Sequence, residues 1–322
     1  MSAGFKAKTI KAVLRKRTDL WIQSLPEQMR ADARRDTIVT GGSIASMLLG
    51  EKVNDFDLYF RTKATTLAIA RHYVDRFSEQ RKAKGGIQVP IFVEELHDVR
   101  GEPRVRIVVK SSGVEKAGDD QEYKYFESRP PEEASDYIAE VMDSPEKVAD
   151  AHEELSEAAR DAEPDPTFRP VFLSSNAVTL ANKVQIVLRF FGEPDAIHAN
   201  YDFVHCTNFW EASTGQLTLR PEALESLLSR TLVYNGSRYP IASLLRVRKF
   251  VERGWRINAG QVLKMALQIG ALDLTKFDVL EDQLTGVDAA YFAQMLDVLK
   301  GSDKEKLEAA YLVEIISRMF GG

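Results

Sequence analysis

The stretch "TGGSIASMLLGEKVNDFDLYF", residues 40–60, decides the fold that we expect for this chain. Two glycines and a serine separate a β-branched run from a short apolar run that ends at Gly50. An alternating aromatic segment then begins with two aspartates, Asp55 and Asp57. The pattern predicts a strand, a glycine turn, a short helix with Ser43 at its N-cap, and a second strand that carries both carboxylates.

The two aspartates are two positions apart in the predicted strand, so their carboxylates share one face of the sheet. Carboxylates this close repel each other unless a cation lies between them. Mg²⁺ prefers such oxygen ligands and keeps other positions for water or substrate phosphates. Two Mg²⁺ ions can stabilise phosphoryl transfer, and that chemistry calls for a third carboxylate from another strand. A solvated strand end is the alternative, because Asn54-Asp55 is also good turn chemistry.

The glycine turn before the helix favours the interpretation as a phosphate site. Gly41 and Gly42 would let the backbone approach a ligand closely. The following helix would offer free N–H groups to a phosphate, and Ser43 would add a hydroxyl. A phosphate cradle, one short helix and a metal-binding strand therefore follow one another within this stretch.

The remaining periodicity predicts an α+β domain followed by helices. We expect one helix over residues 5–35, a helix over 65–85, and strands over 88–98 and 102–111. Strands are predicted again over 169–180 and 183–192, and helices over 221–234, 240–255, 259–273 and 288–320. This organisation divides the chain into a first part of the α/β domain (1–114), an acidic insertion (115–165), a completing part (166–220) and an all-helical domain (221–322).

Charge is distributed unevenly along the chain. Residues 115–165 contain 18 Asp and Glu against 5 Lys and Arg, whereas the remainder contains 30 against 38. A basic body is compatible with a nucleotide or nucleic-acid partner, although a solvated acidic insertion on an ordinary protein explains the pattern equally well. The single cysteine fits the cytosol, and no apolar run is long enough to predict a transmembrane helix.

The opening stretch resembles the first motif of the polymerase-β-like nucleotidyltransferase superfamily. It is most similar to the tRNA CCA-adding enzymes and bacterial poly(A) polymerases, whose motif runs Gly-Gly-x-Val-Arg-Asp, a Leu-Leu-Gly turn and Asp-x-Asp. Ala45 and Ser46 stand where that family has Arg-Asp, which predicts a divergent, phage-type member. The matching residues are Gly41, Gly42, Ile44, Leu48, Leu49, Gly50, Asp55 and Asp57.

Two later stretches extend the resemblance. "VQIVLRF" followed by "EPDAIHANYDF" is similar to the family's strand ending in Thr-x-Arg and its Arg-Arg-Asp-Phe-Thr motif, which makes Arg189 and Asp202 the counterparts. "YPIASLLRVRKFVERGW" resembles the family's basic helix, with Arg246 and Lys249 as the nearest basic residues. The resemblance implies that Asp202 is the third carboxylate. It also implies that Arg189, Arg246 and Lys249 bind nucleotide phosphates.

The function implied by the resemblance is Mg²⁺-dependent transfer of a nucleoside monophosphate from a nucleoside triphosphate to a hydroxyl. The expected acceptor is an RNA 3′ end, in particular that of tRNA, and the expected location is the cytoplasm. A hydroxyl on a protein or small molecule is the enzymatic alternative. A catalytically silent scaffold or interaction protein is the other, because the Arg-Asp and Arg-Arg landmarks of the family are missing.

Overall fold

The computed structural model describes five main ranges of the chain and two isolated positions. The ranges are residues 4–83, 90–97, 101–109, 166–174 and 176–274, and the two positions are residues 279 and 283. The acidic insertion predicted at 115–165 and the helix predicted at 288–320 lie outside the described residues. The predicted domain boundaries therefore stay predictions.

A seven-stranded mixed sheet is the centre of the fold. Its strands are β1 Thr37–Thr40, β2 Phe56–Phe60, β5 Pro170–Leu173, β6 Ala177–Leu180, β7 Val184–Val187, β8 Phe209–Glu211 and β9 Leu217–Thr218. Across the sheet they follow the order β5-β6-β7-β2-β1-β8-β9. Strands β2 and β7 run parallel, and every other neighbouring pair in this sheet is antiparallel. The mixed sheet confirms the predicted α+β class.

Eight α-helices lie in the described residues. The one helix predicted for residues 5–35 is wrong, because Pro26 lacks a backbone N–H and divides the segment into α1 and α2. The strand predicted over 169–180 is also wrong, because a turn at Ser174 separates β5 from β6. The helices are α1 Ala7–Ser24, α2 Glu27–Asp36, α3 Gly42–Leu49, α4 Lys63–Ala83, α5 Pro194–His198, α6 Pro221–Ser229, α7 Pro240–Glu252 and α8 Ala259–Gly270.

One face of the sheet packs on α1 and α4 to form the main core. Alternate residues of β2 point into it, namely Phe56, Leu58 and Phe60, all of them buried. Between the two helices, the buried Trp21 Nε1 donates to the Tyr73 hydroxyl at 2.9 Å. Because side chains alternate along a strand, Asp57 is left for the opposite face, where the candidate site lies.

The strands β3, Ile91–His97, and β4, Pro103–Val109, form a separate antiparallel hairpin rather than part of the main sheet. The hairpin lies against the rest of the molecule partly through side chains of its second strand. The Arg104 guanidinium carbon is 5.1 Å from the centre of the Phe190 ring. Glu102 pairs with both Arg104 and Arg238.

The C-terminal part is helical except for one short strand pair. The helix predicted over 221–234 ends at Ser229, since Arg230 adopts a left-handed conformation with φ 48°. A parallel pair follows, formed by β10 Thr231–Leu232 and β11 Arg256–Ile257, so the all-helical prediction is wrong for these residues. A buried apolar cluster that includes Ala45 of α3 and Trp255 joins this part to the sheet domain.

Candidate active site

The glycine turn places the start of α3 beside the sheet. Gly41 has φ 94° and ψ −152°, a conformation that is essentially restricted to glycine. Its backbone N–H donates to the Cys206 carbonyl at 3.2 Å, which fixes the turn against the segment after α5. The helix then begins at Gly42, so Ser43 is not the N-cap as predicted but the second helical residue.

The Ser43 hydroxyl is buried at the N-terminus of α3. The residue is 2% exposed, and among the described residues its Oγ has no hydrogen-bond partner. The first N–H groups of any α-helix lack partners within the helix. Gly42 is exposed, and a Cβ added to it would meet no atom within 4 Å. The helix start therefore presents donors beside open space.

Asp57 lies directly against this turn. It is the register partner of Thr40, the residue before Gly41, in the antiparallel β1–β2 pair. A Cβ on Gly41 would be 2.9 Å from Asp57 Oδ2 and 3.5 Å from the Tyr201 hydroxyl. The absence of that carbon is what lets the carboxylate approach the start of α3.

The predicted carboxylate strand is confirmed for Asp57 alone, because β2 begins at Phe56 and Asp55 is the residue before it. Phe56 between them is buried in the main core, while both aspartates are half-buried. The Asp57 carboxylate, next to a glycine that leaves space and a helix N-terminus, provides oxygen ligands that fit Mg²⁺ together with phosphate oxygens, and Asp55 stands two residues before it.

Asp202 is held by two side chains from the C-terminal part. It is 8% exposed, its Oδ1 accepts from Ser237 Oγ at 3.0 Å, and its Oδ2 accepts from Arg246. In the described residues no group of three or more His, Cys, Asp or Glu side chains is placed to hold a metal ion. The expected three-carboxylate set is therefore not assembled in this arrangement.

The charges of Asp57, Asp202 and Arg246 all affect the thiol of Cys206. The pKa of its thiol is raised to about 12, first by burial and then by the charges of Asp57 and Asp202, while Arg246 opposes the rise. Burial likewise raises the pKa of Tyr59, with Asp57 as the next contributor. Asp57, Asp202 and Arg246 come from the sheet domain and from α7, and Cys206 itself is half-buried.

The three basic residues expected at the site have different surroundings in the structure. Arg189 lies two residues beyond β7, and its guanidinium carbon is 3.9 Å from the centre of the Tyr239 ring. Arg189 also donates to the Tyr239 hydroxyl. Arg246 meets Asp202, and Lys249 is exposed on the same helix. Arg189 and Arg246 are therefore brought to the segment around the start of α7.

A buried polar group beneath the turn was missed from the sequence. Thr40 Oγ1 lies 2.8 Å from His198 Nε2 and donates to the Asn208 carbonyl at 2.9 Å. Burial lowers the pKa of His198 to about 4, so its imidazole is neutral near pH 7. The Tyr201 ring packs against His198. The signal for Tyr201 was its position next to Asp202 in "NYDF".

Within the described residues, no helix has the length and apolar character needed to cross a membrane.

Comparison with known proteins identifies a family over most of the chain. The model of a family described as Gabija anti-defense 2 family protein matches residues 12–230. A protein named Gabija anti-defense 2, from Bacillus phage SPbetaL7, is 26% identical over 129 residues. That match covers 39% of this chain and 32% of the phage protein, so it spans about a third of the relative's length.

Solved structures with detectable likeness are tRNA-processing enzymes. One described as a tRNA-processing enzyme in apo form I has a TM-score of 0.38 and 11% identity, covering 99% of this chain and 68% of that one. A Thermotoga maritima CCA-adding enzyme complexed with tRNA has a TM-score of 0.37 and 14% identity, covering 88% and 54%. Likeness at this level identifies neither an activity nor a substrate.

Proposed function

Because the chain belongs to the Gabija anti-defense 2 family, we propose that it counteracts a Gabija defense, and that it does so as a Mg²⁺-dependent nucleotidyltransferase. The observation that carries the enzymatic part is the contact between Asp57 and Gly41 at the start of α3, beside the buried Ser43 hydroxyl. A carboxylate pair next to a helix N-terminus binds a cation and a phosphate together.

In this proposal each part of the site has one task. The N–H groups at Gly42 and Ser43 orient the β- and γ-phosphates, and Asp55 and Asp57 hold Mg²⁺, with Asp202 as the third carboxylate. When bound, Mg²⁺ supplies positive charge to the phosphate oxygens. Three basic side chains neutralise the remaining phosphate charge: Arg189, Arg246 and Lys249.

The proposed reaction is an in-line displacement. A hydroxyl oxygen of the acceptor attacks the α-phosphorus of a nucleoside triphosphate, and its proton passes to water. The bond between the α-phosphorus and the oxygen bridging to the β-phosphate breaks, and pyrophosphate leaves with that oxygen. Positioning and charge neutralisation supply the catalysis. An RNA 3′ end, in particular that of tRNA, is the acceptor that we test first.

A silent binding protein is the second candidate. The engagement of Asp202 with Arg246 and Ser237 favours it, because a protein that only binds a Gabija component needs no third metal ligand. Such a protein would counteract the defense without consuming a nucleotide.

The deciding experiment combines a cellular and a chemical measurement. The full chain is produced in bacteria that carry a Gabija defense, and these are challenged with a phage that the defense blocks. The purified chain is incubated with labelled nucleoside triphosphates, Mg²⁺ and either cellular RNA or purified Gabija proteins. The enzymatic proposal expects phage growth and label on an acceptor, with both lost in Asp57→Asn.

Each other outcome has a definite meaning. A folded Asp57→Asn variant that still restores phage growth would establish the silent binding protein. Label on a Gabija protein rather than on RNA would support the nucleotidyltransferase activity and show that its acceptor is a protein. Absence of phage growth with the wild-type chain would overturn the anti-defense proposal.

A further inference from the structure

The two carboxylate oxygens of Asp202 accept from different kinds of donor, a serine hydroxyl and an arginine guanidinium. Ser237, which is buried, donates to Oδ1 and at the same time accepts from the backbone N–H of Tyr239 at 3.0 Å. The Ser237 N–H donates to Gln268 Oε1 at 3.2 Å. Ser237 is therefore fixed on both sides by its own neighbourhood.

Arg246 reaches the same carboxylate from solvent. Its side chain is 46% exposed, against 7% for that of Asp202. A half-exposed guanidinium can turn toward a new partner in solvent, whereas the buried Ser237 cannot turn away. The bond between Arg246 and Oδ2 is thus the easier of the two to open.

Opening that bond has a consequence for Asp202. A buried carboxylate that loses its partner is left with an uncompensated charge, which is strongly unfavourable. Another cation must then take the place of the guanidinium. In the arrangement described, the arginine occupies the oxygen that the third-carboxylate role requires.

The phosphates of a nucleotide are the competing partner for Arg246. A guanidinium binds phosphate through two parallel N–H···O bonds, and such charge-assisted pairs are about twice as strong as neutral hydrogen bonds. The hydroxyl of Tyr201, the residue before Asp202, lies 3.5 Å from the position of a Cβ on Gly41, so the segment that carries the partner of Arg246 meets the start of α3. A phosphate at the start of α3, next to Asp57, is therefore close to this arginine.

We propose that Arg246 changes partner during nucleotide binding: it pairs with Asp202 in the nucleotide-free chain and moves to the nucleotide's phosphates, which makes Asp202 available to a divalent cation. Nucleotide binding and occupation of Asp202 by a cation are then coupled through one side chain. The inference rests on the proposed nucleotidyltransferase site and states how that site is assembled.

The test is a Mn²⁺ titration of the full chain without nucleotide, followed by the paramagnetic signal of free Mn²⁺. Arg246→Gln removes the competing cation from Asp202, so we expect it to bind Mn²⁺ about tenfold more tightly than the wild type, within the usual range of coupling between sites. Adding Asp202→Asn to Arg246→Gln is expected to abolish the gain. Arg246→Met serves as a second variant of similar length.

Arg248→Gln is the matched control, because Arg248 lies on the same helix and is exposed in a pair with Glu252. It is expected to leave the Mn²⁺ dissociation constant unchanged. Calorimetry with a non-hydrolysable nucleoside triphosphate, in the absence of divalent cation, is expected to show weaker binding to Arg246→Gln and Arg246→Met than to the wild type.

The possible failures are distinguishable. If the wild type binds nucleotide and Mn²⁺ but Arg246→Gln and Arg246→Met bind Mn²⁺ no more tightly, the partner change is wrong and the proposed function stands. A gain that persists in the Asp202→Asn double variant also overturns the partner change. If the wild type binds neither nucleotide nor Mn²⁺, the proposed function itself fails.

Discussion

At the start of α3, the Asp57 carboxylate lies where a side chain on Gly41 would have to be. A methyl group on Gly41 would meet the carboxylate at 2.9 Å and would also require a backbone conformation that other residues avoid. The glycine is therefore required by its own backbone and by its neighbour together. At residue scale, the local features of the site follow from such close approaches.

Gly41→Ala is expected to lower the free energy of unfolding by about 1–3 kcal/mol, because it combines strain with displacement of Asp57. Gly42→Ala is the matched control, since it is helical and its added carbon would meet nothing. That substitution is expected to leave stability unchanged or to raise it by about 0.4–1 kcal/mol. Urea unfolding measures both, and equal effects would contradict the steric argument.

Ser43→Ala is expected to leave the free energy of unfolding unchanged or to raise it, because a buried hydroxyl without a partner makes no hydrogen bond to lose. The same change should weaken nucleotide binding in calorimetry. Ser226→Ala provides the contrast, since Ser226 is buried and donates to the Thr231 carbonyl at 2.6 Å. Loss of the Ser226 hydrogen bond is expected to lower the free energy of unfolding by about 0.5–1.5 kcal/mol. A larger decrease for Ser43→Ala would show that the Ser43 hydroxyl does make a hydrogen bond in the folded chain.

At the scale of elements, the sequence predicts local succession well and distant pairing poorly. The strand, turn, helix and second strand around α3 are confirmed, because alternation and glycines determine them locally, but β2 begins at Phe56 and so carries Asp57 without Asp55. The sequence analysis did not predict where α1 and α6 end, although Pro26 in the sequence indicates the end of α1. The hydrogen bonds of Asp202 with Ser237 and Arg246 depend on how α7 packs, which no local pattern encodes.

The packing of α1 on α4 contains one buried polar contact that can be tested. Tyr73→Phe leaves the Trp21 N–H without its acceptor, so we expect a loss of about 1–3 kcal/mol in the free energy of unfolding. Trp21→Phe removes the donor as well as indole volume. In the double variant the two losses should not add, because both remove one hydrogen bond. Additive losses in urea unfolding would show that the bond contributes nothing.

At the scale of the whole molecule, one buried cluster connects the two parts of the chain. His205 lies inside it, with ring centres 4.4 Å from Trp255 and 4.8 Å from Phe250. Burial lowers the pKa of His205 to about 4, as it does for His198. Two neutral, buried imidazoles therefore couple the stability of the entire fold to pH.

The sign of this coupling is determined by the unfolded chain, where histidine titrates near pH 6.5. Between about pH 6.5 and pH 4 these two histidines bind protons in the unfolded chain but remain neutral in the folded chain. Each histidine then lowers the free energy of unfolding by about 1.4 kcal/mol per pH unit of acidification. Urea unfolding from pH 7.5 to 4.5 should show this decline.

His205→Phe is expected to reduce the pH slope by about 1.4 kcal/mol per pH unit, because one of the two buried imidazoles is gone. His97→Gln is the control, since His97 is exposed on β3. An unchanged slope in His205→Phe would mean that this imidazole is protonated in the folded chain as easily as in the unfolded one.

The order of strands in the sheet has a consequence for synthesis on the ribosome. Thr40 and Asn208 meet although they are 168 positions apart, and Phe56 of β2 pairs with Val184 of β7, 128 positions later (184 − 56). At 5–20 residues per second, translation leaves the outer edge of β1 uncovered for roughly 8–34 s and that of β2 for roughly 6–26 s. During this period the nascent chain carries two open strand edges and an incomplete candidate site, and chaperones would find it most often then.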